Sequence, residues 1–163
     1  MQIIITNKDT LLYDEFKFKC SAGKNGKTTN KVEGDNKTPK GSYFLGPLYY
    51  RKDRLSKPLT RLKVLEIKEN FGWCDDVKSK FYNKPIKIND KIKYEKLYRK
   101  DKKYDLLIPI KYNSNKPKEN KGSAIFLHLT SNYKKTQGCI VIAKKDMLIL
   151  LKLINKQTKI RIL

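Results

Sequence analysis

The chain predicts a mainly β fold. Three observations carry this: short apolar runs that alternate with polar residues, turn-forming residues between nearly all of them, and one stretch near the C-terminus with helical periodicity. At 163 residues, one domain spanning 1–163 is expected, long enough to bury about two-thirds of its unfolded surface.

Met1–Thr6 reads as a short strand closed by Asn7 and Asp9. Leu11–Cys20 alternates as one further strand, with Tyr13, Phe16 and Phe18 at its apolar positions. Ser21–Lys40 is a loop rich in Gly, Asn, Lys and Thr. It ends in Thr38-Pro39-Lys40-Gly41, where proline fixes φ and glycine frees it ahead of a strand at Ser42–Leu45. Leu48–Arg54 is dense in tyrosine and arginine, and Leu62–Ile67 alternates as a strand. Ile92–Lys100 reads as a short helix of weak periodicity, and Tyr104–Tyr112 as an apolar strand whose Pro109 argues for an edge position or a bulge. Ser123–Leu129 and Ile140–Ala143 are apolar and flank the polar run SNYKKTQG, which predicts two neighbouring antiparallel strands joined by a loop. Lys145–Asn155 has apolar residues at 147, 148, 150, 151, 153 and 154, the pattern of an amphipathic helix, with Asp146 in its first turn. Lys159–Leu163 closes as a strand.

The net charge is +22, carried by 33 lysines against 5 arginines strewn along the chain. Arginine is the usual reader of phosphate and base edges, so nucleic acid is not the expected partner; a lysine-rich solvated surface is. A cell wall bearing carboxylates and phosphates would attract such a chain equally well. Gln2–Thr6 is too short an apolar run for an export signal, and nothing reaches the roughly eighteen apolar residues of a membrane span, so the chain read literally is cytoplasmic. Cys20, Cys74 and Cys139 are far apart without a CxxC spacing. Free thiols are favoured over a Cys20–Cys74 disulfide, and with one histidine no metal site is expected.

Chemistry concentrates between Lys121 and Ala143, where the only histidine, His128, and Cys139 lie eleven positions apart. Facing each other, an imidazole can take the proton of a thiol whose ordinary pKa is about 8.5 and arm it for acyl transfer. Gly138 presents no side chain to a substrate carbonyl, and the N–H groups of Gly138 and Cys139 can point to a developing oxyanion. The bland alternative makes Cys139 a buried small hydrophobe and His128 a satisfied core residue. Arg51 and Arg54 suggest a planar, bidentate task, holding either a substrate carboxylate or an internal aspartate. Trp73 sits beside Asp75 and Asp76, which read as structural partners of loop amides or of Arg51 and Arg54, with the indole part core and part cleft wall.

HLTSNYKKTQGC resembles the active-site signature of the YkuD-like L,D-transpeptidases of peptidoglycan. GDNKTPKGSYFL (Gly34–Leu45) is similar to that family's GxxTPxGxF stretch, and YYRKDR, GWCDD, Tyr82-Asn83 and GSAIFLH resemble its short, single-domain branch. The resemblance implies a β-sandwich or barrel in which Cys139 attacks the carbonyl of the third residue of a tetrapeptide stem and releases D-alanine. His128 would serve as base, held by the Leu129 carbonyl, with no cofactor. Substrate contacts are implied for Arg51, Arg54, Trp73, Tyr82, Asn83, Thr136 and Gln137, the 21–40 loop becomes a wall of the site, and carbapenems become candidate inhibitors. From the family's substrate, a periplasmic or cell-wall location would be expected. Gln137 stands where a second histidine is usual, Val141 where an arginine often follows, and the His–Cys spacing is short. Hydrolysis by an L,D-carboxypeptidase or amidase, and non-catalytic binding of a polyanion, are the alternatives.

Overall fold

A computed structural model describes residues 1–89 and 91–163. Among them the first eight strands are β1 (Gln2–Ile5), β2 (Thr10–Tyr13), β3 (Phe16–Ser21), β4 (Lys27–Thr28), β5 (Thr38–Pro39), β6 (Gly41–Phe44), β7 (Leu48–Tyr50) and β8 (Val64–Glu66). There follow β9 (Phe71–Cys74), β10 (Pro85–Lys87), β11 (Tyr94–Lys96), β12 (Leu106–Pro109), β13 (Phe126–Thr130), β14 (Ile140–Ala143), helix α1 (Lys144–Leu153) and β15 (Lys159–Ile162). Ten strands form one curled sheet in the order β6-β15-β1-β2-β3-β14-β13-β12-β7-β8, a half-barrel; β10-β9-β11 and β4-β5 are separate small sheets. The mainly β expectation with one C-terminal helix holds. No helix of the described residues is long and apolar enough to cross a membrane.

The continuous apolar runs have a physical cause. Strands β12, β13 and β14 are buried on both faces, so they cannot alternate apolar with polar. Leu106, Ile108, Leu127, Leu129, Ile140 and Ile142 point into the larger core, where α1 contributes Met147, Leu150 and Leu151. Each of those three helix side chains is fully buried, worth on the order of 2 kcal/mol apiece. Leu107 and Phe126 point the other way, into a smaller core with Trp73, Leu97, Tyr104 and Cys139. The β9 sheet supplies much of that second cover.

Four expectations are corrected. Leu11–Cys20 is not one strand: the chain reverses at Asp14 (φ 53°), and Tyr13 pairs with Phe16 across the turn between β2 and β3. Within 92–100 lies β11, paired with β9, and no helix; tertiary pairing overrides a weak local pattern. β12 is interior, between β13 and β7, and tolerates Pro109 because it is the last residue of the strand, where its carbonyl still accepts from the Gly46 amide at 2.7 Å.

The fourth correction concerns the strands that carry His128 and Cys139. β13 and β14 are parallel, with Leu127 opposite Ile140 and His128 opposite Val141. The 131–139 connection therefore runs back along the sheet instead of turning a hairpin. It is drawn back by the segment after β3: the Thr136 amide donates to Ala22 O at 3.0 Å, and Thr136 O accepts from Lys24 at 2.7 Å.

Candidate active site

In a parallel pair the residues opposite one another share a face, so His128 and Val141 point to the same side of the sheet, and Cys139, two before Val141, points with them. Both Cys139 and His128 line one cavity of ≈ 710 Å³. Its walls come from the 31–36 loop (Lys31, Glu33), the β9–β11 unit (Asp75, Glu95) and the 131–137 loop (Thr136, Gln137). The 21–40 segment is thus a wall of this cavity.

The thiol sits at its floor, with Cys139 9% exposed. Sγ donates to Ala124 O at 3.3 Å and accepts from the Phe126 amide at 3.4 Å. Among the described residues it makes no hydrogen bond to the imidazole. Burial pushes the thiol well above its ordinary range, and the nearby Glu95 carboxylate adds to the shift. His128 is 6% exposed. Burial lowers its pKa to about 4, against the opposing help of the Leu129 and Lys103 carbonyls. Both shifts favour a neutral thiol and a neutral ring over a thiolate–imidazolium pair.

The ring's tautomer follows from its contact. Nδ1 lies 3.1 Å from Leu129 O, and a carbonyl only accepts, so Nδ1 carries the proton and Nε2 presents a lone pair. Tyr104 fixes the plane of the ring by an edge-to-face contact with a centroid separation of 4.9 Å. The Tyr104 hydroxyl donates to Glu95.

Gly138 is required here for reasons of space. At φ 142°, a Cβ would lie 2.9 Å from Lys37 O. The Gly138 carbonyl accepts from Thr38 Oγ1 at 2.8 Å, so the 37–38 segment clamps the residue before Cys139. The Gly138 N–H, expected to face an oxyanion, donates to Thr136 Oγ1 at 3.1 Å. That hydroxyl in turn donates to Cys139 O at 2.6 Å, so Thr136 shapes the loop that delivers the thiol.

Other expected contact residues lie deeper. Asn83, at φ 56° and 5% exposed, uses its whole side chain: Oδ1 accepts from Trp73 Nε1 at 2.9 Å and from the Ala124 amide at 3.0 Å. Its Nδ2 donates to Tyr112 O and Asn113 O. Asn83 thereby holds Ala124, whose carbonyl holds the thiol. Trp73 packs edge-on against Phe126 at 5.1 Å, 7% exposed, in the core and not on the cavity wall. Tyr82 donates to Glu33 and accepts from the Gly122 amide at 3.1 Å. Gln137 is exposed at the cavity edge.

Arg51 and Arg54 stand apart from this cavity, whereas Arg99 lines it. Arg51 is bidentate on Asp53 at 2.8 and 2.7 Å and stacks 3.5 Å over the Tyr98 ring. Arg54 binds Asp105 at 2.7 Å and two main-chain carbonyls. Of the two tasks foreseen for them, the structure displays the internal aspartate; the partners are Asp53 and Asp105, and Asp76 instead accepts from the Lys78 amide. The three cysteines are free.

Several residues near the thiol carried no signal in the sequence. Lys31, one of 33 lysines, is 4% exposed and paired with Asp35. Burial alone would raise the Asp35 carboxyl, but Lys31 and the Val32 and Lys37 amides hold it below its ordinary value. Ala124 acts through its backbone, which no side-chain pattern reveals.

No curated protein and no solved structure matches the chain. The family model of the YkuD L,D-transpeptidase catalytic domain matches residues 2–162, nearly end to end, with His128 and Cys139 on one face of one cavity inside that span. The chain belongs to the YkuD family of L,D-transpeptidase catalytic domains.

Proposed function

We propose that the protein is a cysteine-dependent L,D-transpeptidase acting on peptidoglycan stem peptides. The observation that carries this reading is the shared cavity: a thiol at its floor and an imidazole with Nε2 unprotonated on the same sheet face. Because both groups rest neutral, proton transfer accompanies attack and does not precede it. Cys139 Sγ bonds to the carbonyl carbon of the third stem residue while its proton passes to His128 Nε2. The C–N bond to D-alanine then breaks, the amine leaves with the proton from His128, and a thioester remains. An acceptor amine attacks the thioester, gives up a proton to His128, and restores the thiol as the new amide forms. Water in place of the amine would give hydrolysis by the same groups.

Intact-mass spectrometry tests it. Incubation with a tetrapeptide stem and an amine acceptor should yield the cross-linked product, and a carbapenem should add its mass at Cys139; both should vanish in Cys139→Ala. A wild-type protein that forms neither acyl-enzyme overturns the reading, and loss of D-alanine without new amide replaces transfer by hydrolysis.

A further inference from the structure

The sheet face that carries His128 and Val141 does not stop at β14. Register sets Val141 opposite Ser21 on β3. Alternation then puts Ser21, Lys19 and Lys17 on that face and sends Phe18 and Cys20 into the larger core. Thr10 of β2 follows, opposite Lys19. Over these residues lies a second cavity of ≈ 570 Å³. It shares Asn132 and Lys135 with the cavity above Cys139, so the 131–137 loop is the partition between two chambers on one sheet face.

Three features mark the second chamber. Ser21 is 2% exposed, and its hydroxyl has no hydrogen-bond partner among the described residues. Leaving such a group unpaired costs folding free energy that a bound acceptor would return. The cationic side chains of Lys8, Lys17 and Lys19 line the chamber, whereas Asp9, its carboxylate, is already paired with Lys135. Tyr133 stands at φ 54°, held by a 2.9 Å bond from its amide to Thr130 Oγ1, with the Lys19 ammonium 4.6 Å over its ring. Backbone strain of this kind persists where surrounding contacts enforce it.

We propose that this chamber binds a carboxylate of the peptide substrate, its oxygen accepting from the Ser21 hydroxyl between the ammonium groups of Lys17 and Lys19. The proposal rests on the transpeptidase reading: a ligand that spans the partition reaches Cys139, and the anionic groups of a stem peptide are carboxylates. Cations on one side of the thiol would then fix which way the peptide lies across it.

The test uses the full chain in a Cys139→Ala background, so that nothing turns over, titrated calorimetrically with a tetrapeptide stem and with its fully amidated counterpart. The parent binds the free-carboxylate peptide more tightly. K17Q/K19Q lowers that affinity about fivefold, or ~1 kcal/mol, and leaves the amidated peptide unchanged. K152Q/K156Q, which removes the same charge at and beyond the end of α1, changes neither. Ser21→Ala weakens binding of the free-carboxylate peptide without lowering Tm, because the hydroxyl has no internal partner to lose. The proposal is overturned if the parent shows no carboxylate preference, if K17Q/K19Q and Ser21→Ala bind as the parent does, or if the control pair loses as much as the groove pair. Failure of the transpeptidase reading looks different: wild-type protein forms no acyl-enzyme while the carboxylate preference is still scored.

Discussion

Acidification from pH 7 to pH 5 should destabilise the protein chiefly through one side chain. His128 is the only histidine, and burial lowers its pKa from an ordinary 6.5 to about 4. Between those values the unfolded chain binds a proton that the native state does not. Stability from this group is therefore complete above about pH 6.5 and is lost as pH falls toward the folded value. Integrating from pH 7 to pH 5 gives a loss of about 2 kcal/mol, or roughly a 1 M fall in the urea midpoint for a chain of this size. Glu95 and Asp75 act in the opposite sense, since burial raises both carboxyls and lets the native state hold protons more firmly. Comparing wild type with His128→Gln separates the contributions: the variant keeps the carboxyl effects and loses the imidazole's. Urea unfolding at pH 5, 6 and 7 should show a steep fall for wild type and a shallower one for the variant. Parallel slopes, or an NMR titration of the single imidazole near 6.5, would refute the reasoning.

Alkylation of Cys139 by iodoacetamide at pH 7 should be slower than that of a free cysteine, of which about 3% is thiolate there, and should climb with pH; a rate plateau already present at neutral pH would show a preformed ion pair. Asn83→Ala should cost roughly 3 kcal/mol, since it orphans Trp73 Nε1, the Ala124 amide and two carbonyls, and thermal unfolding would measure it. Thr38→Val removes the donor to Gly138 O and the acceptor for the Gly23 amide; single-turnover acylation should slow while the pH dependence of alkylation stays as in wild type.

What the sequence revealed and what it hid divide along physical lines. Helix α1 was legible because six apolar positions repeat at helical spacing and tertiary packing agrees with them. Strands β13 and β14 were legible as strands, but their direction was not. An apolar run buried on both faces carries no alternation to set register or polarity, and residues 131–139 are polar enough for either a hairpin or a return path. The turn at Asp14 escaped because its mark is one slipped step: the same-face residues Leu11, Tyr13, Phe16, Phe18 and Cys20 are spaced by two, three, two and two, and the single three-residue step, from Tyr13 to its partner Phe16, is the reversal. At the site, the thiol and imidazole announced themselves by scarcity, one histidine and three cysteines in a lysine-dominated chain. Of their supports, the Leu129 carbonyl followed from the family resemblance, whereas the Ala124 carbonyl and the Phe126 amide act through the backbone and left no side-chain signal.

The parallel pairing changes what fixes Cys139 in place. In a hairpin, a tight turn would set the register of Cys139 against His128. Here nine residues, 131–139, connect the end of β13 to the start of β14, with an extended reach of about 30 Å. The return from Thr130 to Ile140, which lies opposite Leu127, runs three residues back and one strand across and needs only about 11 Å. The surplus length leaves Cys139 free to wander unless other segments pin the loop. Two do so: residues 22–24 bind Thr136 through the backbone on one side, and Thr38 and Lys37 enclose Gly138 on the other. Both anchors belong to the stretch between β3 and β6, which has no apolar face of its own. That segment is polar because its work is to hold a loop by hydrogen bonds, and the thiol's place above the sheet is set there, some hundred residues earlier in the chain than Cys139 itself.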